Sequence, residues 1–98
     1  MKFFVYVIVT KKDNKLVSYV GYTNNIDNRL IKHNTSKGAK YTRGKIWKLA
    51  YSKVYYSKSK AMKEEYKLKK NTKLRNIIKK KLIYEIIYFA SLQREFFI

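Results

Sequence analysis

The first hydrophobic run is unbroken: residues 3–10 read FFVYVIVT, β-branched and aromatic at both parities, the pattern of a strand covered on both faces. A polar stretch from Lys11 to Lys15, containing Asp13-Asn14, separates it from a second run, VSYVGY at 17–22. Together they predict a hairpin. The period then changes. Residues 26–34 (IDNRLIKHN) place apolar positions at helical spacing, with Asn24 or Asn25 as cap and Asp27 in the first turn. A loop holding Gly38 and Gly44 leads to a third strand at 46–56. Ser57 or Ser59 then caps a helix to Lys70, Thr72 caps another to Leu82, and a last short helix covers 85–94.

These elements predict an α+β domain: a three-stranded antiparallel sheet flanked by helices, with C-terminal helices added. One domain spans 1–98, because chains divide only beyond roughly 250 residues. Its motif-bearing core is 3–70 and its helical extension 72–98.

The N-terminal run superficially resembles a signal peptide, but it meets Lys11-Lys12-Asp13 with no small-residue cleavage site. It reads as a strand. The apolar segment from Ile83 to Leu92 is interrupted by Glu85 and is shorter than the ~20 residues a membrane span needs. A cytoplasmic protein without signal peptide or membrane segment is expected. With no cysteine, disulfides and thiolate metal sites are excluded, so any metal takes oxygen or nitrogen ligands.

Charge changes the picture most. Lysine and arginine number 24 against 6 acidic residues, a formal net charge of +18. Self-repulsion on that scale calls for a polyanionic partner. Basic residues recur from Lys2 to Arg94, so the whole domain is basic. Nucleic acid is the expected partner, ahead of an anionic membrane, and binding should weaken steeply as salt rises.

Against this background a few polar residues stand in unusual places. On the helix at 59–70, Ala61, Met62, Glu65 and Leu68 fall within a wedge of roughly 120°. Glu65 is therefore in the apolar stripe, where an unpaired carboxylate is costly. It either faces a cation or sits at the rim and pairs with Lys69 at i+4. Glu64 lies on the flank, beside Lys60. On the helix at 26–34, Ile26 and Leu30 face inward, His33 lies nearly between them, and Arg29 lies roughly 60° to one side. That pair would project a fixed cation and a titratable imidazole from one rim toward the sheet. Ten tyrosines, several in strands, suit either packing or contact with bases and phosphates.

The run Phe4-Val5-Tyr6, then Tyr19-Val20-Gly21, then Arg29 and His33, resembles the GIY-YIG nuclease domain family. The resemblance is to its small single-domain bacterial branch. Lys37-Gly38-Ala39-Lys40, Arg43-Gly44-Lys45 and Ala61 to Lys69 support it, and Ala90-Ser91-Leu92-Gln93 extends it toward the C-terminus. Phe4 stands where the first motif opens with glycine. The tyrosine hydroxyl is the chemical group, so that departure weakens the pattern more than the mechanism.

The resemblance implies a divalent-metal-dependent endonuclease that hydrolyses phosphodiester bonds in DNA, selecting structure rather than sequence. It implies catalytic roles for Tyr6, Tyr19, Arg29, His33 and Tyr41, and one Mg²⁺ or Mn²⁺ on Glu65. Lys37, Lys40, Arg43 and Lys45 would grip nucleic-acid phosphates. Arg29 would stabilise phosphoryl charge through its fork of donors. Tyr6 would be the general base, with His33 as the rival. The family implies DNA ahead of RNA, and the protein would act as a monomer or weak dimer, with an unidentified protein partner open. A non-catalytic nucleic-acid-binding module and a basic protein of a ribonucleoprotein particle are the alternatives. A carboxylate aimed at phosphates favours the nuclease.

Overall fold

The unbroken apolar run becomes the middle strand of the sheet. The computed structural model describes the backbone of residues 1–97 and the side chains of residues 1–88. Strand β1 (Phe3–Lys12) lies between β2 (Lys15–Thr23) and β3 (Lys48–Tyr55), antiparallel to both. Asp13 and Asn14 make the tight turn at φ 51° and 63°. Both residue types tolerate this left-handed region, and two such residues in succession match the twist of a two-residue hairpin.

Because β1 is central, its two parities enter different cores. Val5, Val7 and Val9 pack with Val20, Ala61, Leu68 and Ile78. Tyr6 and Ile8 pack on the other face with Trp47, Val17, Tyr19 and Leu30. The first core lies under helices α2 (Lys58–Lys70) and α3 (Thr72–Phe97), the second under α1 (Ile26–Asn34) and the loop that follows it. The expected architecture, an antiparallel sheet with helices on both sides, is the one observed.

Side-chain caps fix where the helices begin. Asn25 Oδ1 accepts from Asn28 N at 3.0 Å, and Ser57 Oγ accepts from Lys60 N at 3.1 Å. The third cap differs from expectation: Asn71, not Thr72, accepts from Leu74 N at 3.0 Å, and Thr72 is already helical. The predicted pair of helices, to Leu82 and over 85–94, is the single helix α3. No glycine or proline interrupts it, and Leu82-Ile83-Tyr84 carries the helix through. The side chains of Ala90-Ser91-Leu92-Gln93 lie outside those described.

Two further differences have clear causes. Strand β3 begins at Lys48 rather than 46 because the backbone of Trp47 pairs with the Asn34 amide instead. Asn34 Oδ1 accepts from Trp47 N at 2.6 Å, and Asn34 Nδ2 donates to Trp47 O at 3.1 Å. Met62, placed in the inward stripe of α2 by its spacing, is 48% exposed. The buried positions of that helix are Ala61 and Leu68, so the inward face is centred away from Met62.

Candidate active site

Tyr6 sits in mid-strand, directly opposite Gly21 on β2. Its ring covers that glycine so closely that a Cβ there would stand 2.6 Å from Tyr6 Cζ. Gly21 is therefore the space in which the Tyr6 ring lies. On α1, the one buried residue is His33, which is fully enclosed. Its Nε2 lies 2.8 Å from the Tyr6 hydroxyl, and its Nδ1 lies 2.7 Å from Thr42 Oγ1.

The hydrogen-bond chain assigns the tautomer. Thr42 Oγ1 donates its single proton to Ala39 O at 2.8 Å, so it can only accept from His33. His33 therefore carries its proton on Nδ1, leaving the Nε2 lone pair to accept from Tyr6. Thr42 is itself fixed by a short 3-10 turn, Lys40–Thr42, and its carbonyl accepts from Trp47 Nε1 at 2.9 Å. Gly38 closes the other side of the imidazole: a Cβ there would stand 2.5 Å from Nδ1. Two glycines thus bracket one buried pair.

Burial pushes the Tyr6 hydroxyl above its ordinary value, and Arg29 pulls it down, while Tyr19 and Glu65 push it up more weakly. Burial holds the His33 imidazole below its ordinary value, and Arg29 adds to that. Both shifts favour the neutral forms that the hydrogen bonds require. Arg29 is half-buried in a recess it shares with Tyr6, Ile26 and Leu30.

An aromatic wall leads from this pair to solvent. Tyr19 meets the His33 ring edge-on at 5.3 Å between centroids and stacks on Tyr41 at 6.1 Å. Trp47 touches both tyrosines. Tyr41 is half-exposed at the opening, where Lys45 Nζ lies 5.2 Å from its ring centroid and donates to its carbonyl at 3.0 Å. Lys37, Lys40 and Arg43 are exposed on the same loop.

The predicted residues therefore separate into groups. Tyr6, Tyr19, His33 and Tyr41 form a contiguous set, with Arg29 beside Tyr6. His33 does not project from a rim with Arg29, as its helical position implied. The loop folds over α1 and encloses it. Glu65 combines both readings of its position: its side chain is 15% exposed, and its Oε1 pairs with Lys69 Nζ at 2.8 Å. Its charge nonetheless reaches Tyr6. Thr42, Trp47 and Asn34 were not singled out from sequence, and Gly38 was read as a loop glycine without a role at the imidazole. Trp47, as the chain's one tryptophan, carried the clearest signal, whereas Thr42 carried none.

A divalent ion has limited but suitable protein ligation here. Among the described residues no three of His, Cys, Asp and Glu gather. A hard cation can be held by one carboxylate, with water and substrate oxygens completing its shell. Glu65, a partly buried carboxylate paired with Lys69, is the residue that could take that role.

The sequence matches the model of the family described as GIY-YIG catalytic domain over residues 2–81. It is 54% identical over 52 residues to a UPF0213 protein of Oceanobacillus iheyensis, covering 52% of this chain and 60% of that relative's length. It is 48% identical over 69 residues to a UPF0213 protein of Staphylococcus haemolyticus, covering 69% of this chain and 80% of the relative. The solution NMR structure of a UPF0213 protein from Bacillus halodurans is 38% identical, covers 79% of this chain and 83% of that one, and superposes with a TM-score of 0.42. With four-fifths of its length matched by the family model, this chain belongs to the GIY-YIG catalytic domain family, a family of nuclease domains.

Proposed function

We propose that this protein is a divalent-metal-dependent endonuclease that hydrolyses phosphodiester bonds in DNA, with Tyr6 and His33 acting as one proton-accepting unit. The observation that carries this reading is the 2.8 Å contact between the Tyr6 hydroxyl and the His33 Nε2 lone pair. An isolated phenol with a raised pKa is already protonated and cannot accept a proton from water. A phenol bonded to an imidazole lone pair can. As its oxygen takes a proton from the attacking water, its own proton passes to Nε2. The water oxygen forms the new bond to phosphorus, and the bond to the leaving ester oxygen breaks.

Arg29 faces the negative charge that grows on the phosphoryl oxygens, through its planar fork of donors. Tyr19, clasped between His33 and Tyr41, orients the imidazole and shapes the approach. Glu65 would hold the Mg²⁺ or Mn²⁺, which when bound supplies charge neutralisation at the phosphate and leaving oxygen. Lys37, Lys40, Arg43 and Lys45 contact backbone phosphates, which carry no sequence information, so substrate choice rests on shape. We place the protein in the cytoplasm, acting as a monomer or weak dimer.

A non-catalytic binding module is the second reading, and one observation favours it. The Lys69 ammonium already occupies Glu65, so an ion must compete for that carboxylate. A cleavage panel over single-stranded, duplex, flap and branched DNA and RNA, with Mg²⁺, Mn²⁺ or EDTA, separates the two. The nuclease reading expects metal-dependent cuts abolished by EDTA. Intact binding with no cut on any substrate supports the binding module.

A further inference from the structure

Arg29 borders two spaces, and only one belongs to the Tyr6–His33 pair. On its other side an open depression of about 340 Å³ is walled by Arg29, Lys32 and Lys58, with Phe3, Tyr22 and Thr23 among the residues beneath them. The cations come from different parts of the fold: Arg29 and Lys32 are one turn apart on α1, and Lys58 opens α2. Among the described residues, no acidic side chain lines the depression. Asp27 stands in the first turn of α1 but is not part of this wall, and the first turn of α2 carries no acid.

Convergence of three cations without a carboxylate is electrostatically costly unless an anion is present. Lys32 and Lys58 are exposed, whereas Arg29 is half-buried. That combination suits a phosphate: one planar fork of donors, and two flexible point charges that close on it. The position also matters. Arg29 also lies beside Tyr6, so within the nuclease reading a phosphate held here would neighbour the one that faces Tyr6.

We infer that the depression between α1 and the start of α2 is a second phosphate-binding subsite, in which Lys32 and Lys58 hold a phosphate neighbouring the scissile one. This rests on the nuclease reading for its place along the strand, but not for its chemistry. The phosphate is either an internal diester or a terminal monoester, and one feature common to both is the negative charge that the lysines recognise. None of the loop residues from 37 to 45 lines the subsite.

The test is fluorescence anisotropy in EDTA, where no metal-dependent cleavage occurs. Labelled DNA oligonucleotides with a 5′-phosphate or a 5′-hydroxyl are titrated across a range of salt. Wild type is compared with Lys32→Ala, Lys58→Ala and the double variant. Each side chain is exposed, so the variants fold. Lys11→Ala and Lys12→Ala serve as controls, because Lys12 pairs with Lys15 at the opposite end of the hairpin from Thr23.

Each lost phosphate contact lowers the slope of log K against log salt by about 0.7–0.9, and the double variant by about twice that. Loss on both oligonucleotides identifies an internal diester, and loss only with the 5′-phosphate identifies a terminal monoester. Unchanged slopes in the double variant, or equal losses in the control variants, overturn the subsite. Failure of the nuclease reading shows separately, as absent cleavage when metal is restored.

Discussion

The hydroxyl of Tyr6 and Nε2 of His33 lie 2.8 Å apart, 27 residues distant in sequence, and both side chains are buried. Each satisfies the other's buried polar group, and each loses by the other's removal. Tyr6→Phe removes the hydroxyl bonded to Nε2. The cleavage rate should fall by about 10²–10⁴, the usual contribution of a positioned proton-transfer group. Stability should fall by about 1–3 kcal/mol, since the imidazole lone pair is left unpaired. Single-turnover rates and urea midpoints measure the two effects.

His33 is the chain's one histidine, so its titration can be read without interference from another. Its pKa is held below the ordinary value in the fold, so the unfolded chain binds a proton first as pH falls. The sign follows: stability from the neutral imidazole is complete above the unfolded pKa near 6.5 and is lost as pH drops below it. Urea unfolding between pH 8 and 5 should show this decline in wild type and a flatter profile in His33→Gln. Parallel profiles in the two proteins contradict the assignment.

Gly21→Ala should cost about 1–3 kcal/mol, because the new methyl overlaps the Tyr6 ring and the middle strand cannot move away. Activity should fall further than in a surface variant of equal stability, since the displaced group is the proposed base. Gly38→Ala crowds His33 Nδ1 and should behave alike. Thermal midpoints with rates measured well below them separate stability from chemistry.

Trp47→Phe keeps much of the packing but removes the Nε1–H that donates to the Thr42 carbonyl. A loss of about 1–3 kcal/mol is expected, with a smaller effect on rate than Tyr6→Phe. Equilibrium unfolding followed by far-UV circular dichroism measures it, as the variant lacks the chain's tryptophan.

The sheet was legible because β1 is apolar at both parities, which only a central strand requires. The caps Asn25 and Ser57 were legible because a side-chain oxygen must meet the first free amides of a helix. The break expected before residue 85 was not there, since polarity changes along α3 while helix-breaking residues are absent. In the site, Arg29, His33 and Glu65 were marked by residue type and helical spacing, whereas Tyr6, Tyr19 and Tyr41 were marked by the family resemblance alone. The enclosure of His33 was not, because it depends on how the loop from 35 to 47 folds over α1. Thr42 and Asn34 fix that loop through side-chain hydrogen bonds, which leave no periodic trace in a sequence.

Nicking of supercoiled plasmid by wild type, Arg29→Ala and Glu65→Ala, each with Mg²⁺ or Mn²⁺ and with EDTA, tests the central claim most directly. Wild type should nick only with metal, Arg29→Ala should be slower by about 10²–10³, and Glu65→Ala should lose metal-dependent cleavage. Equal nicking by all three proteins would contradict the account and trace the activity to a contaminant.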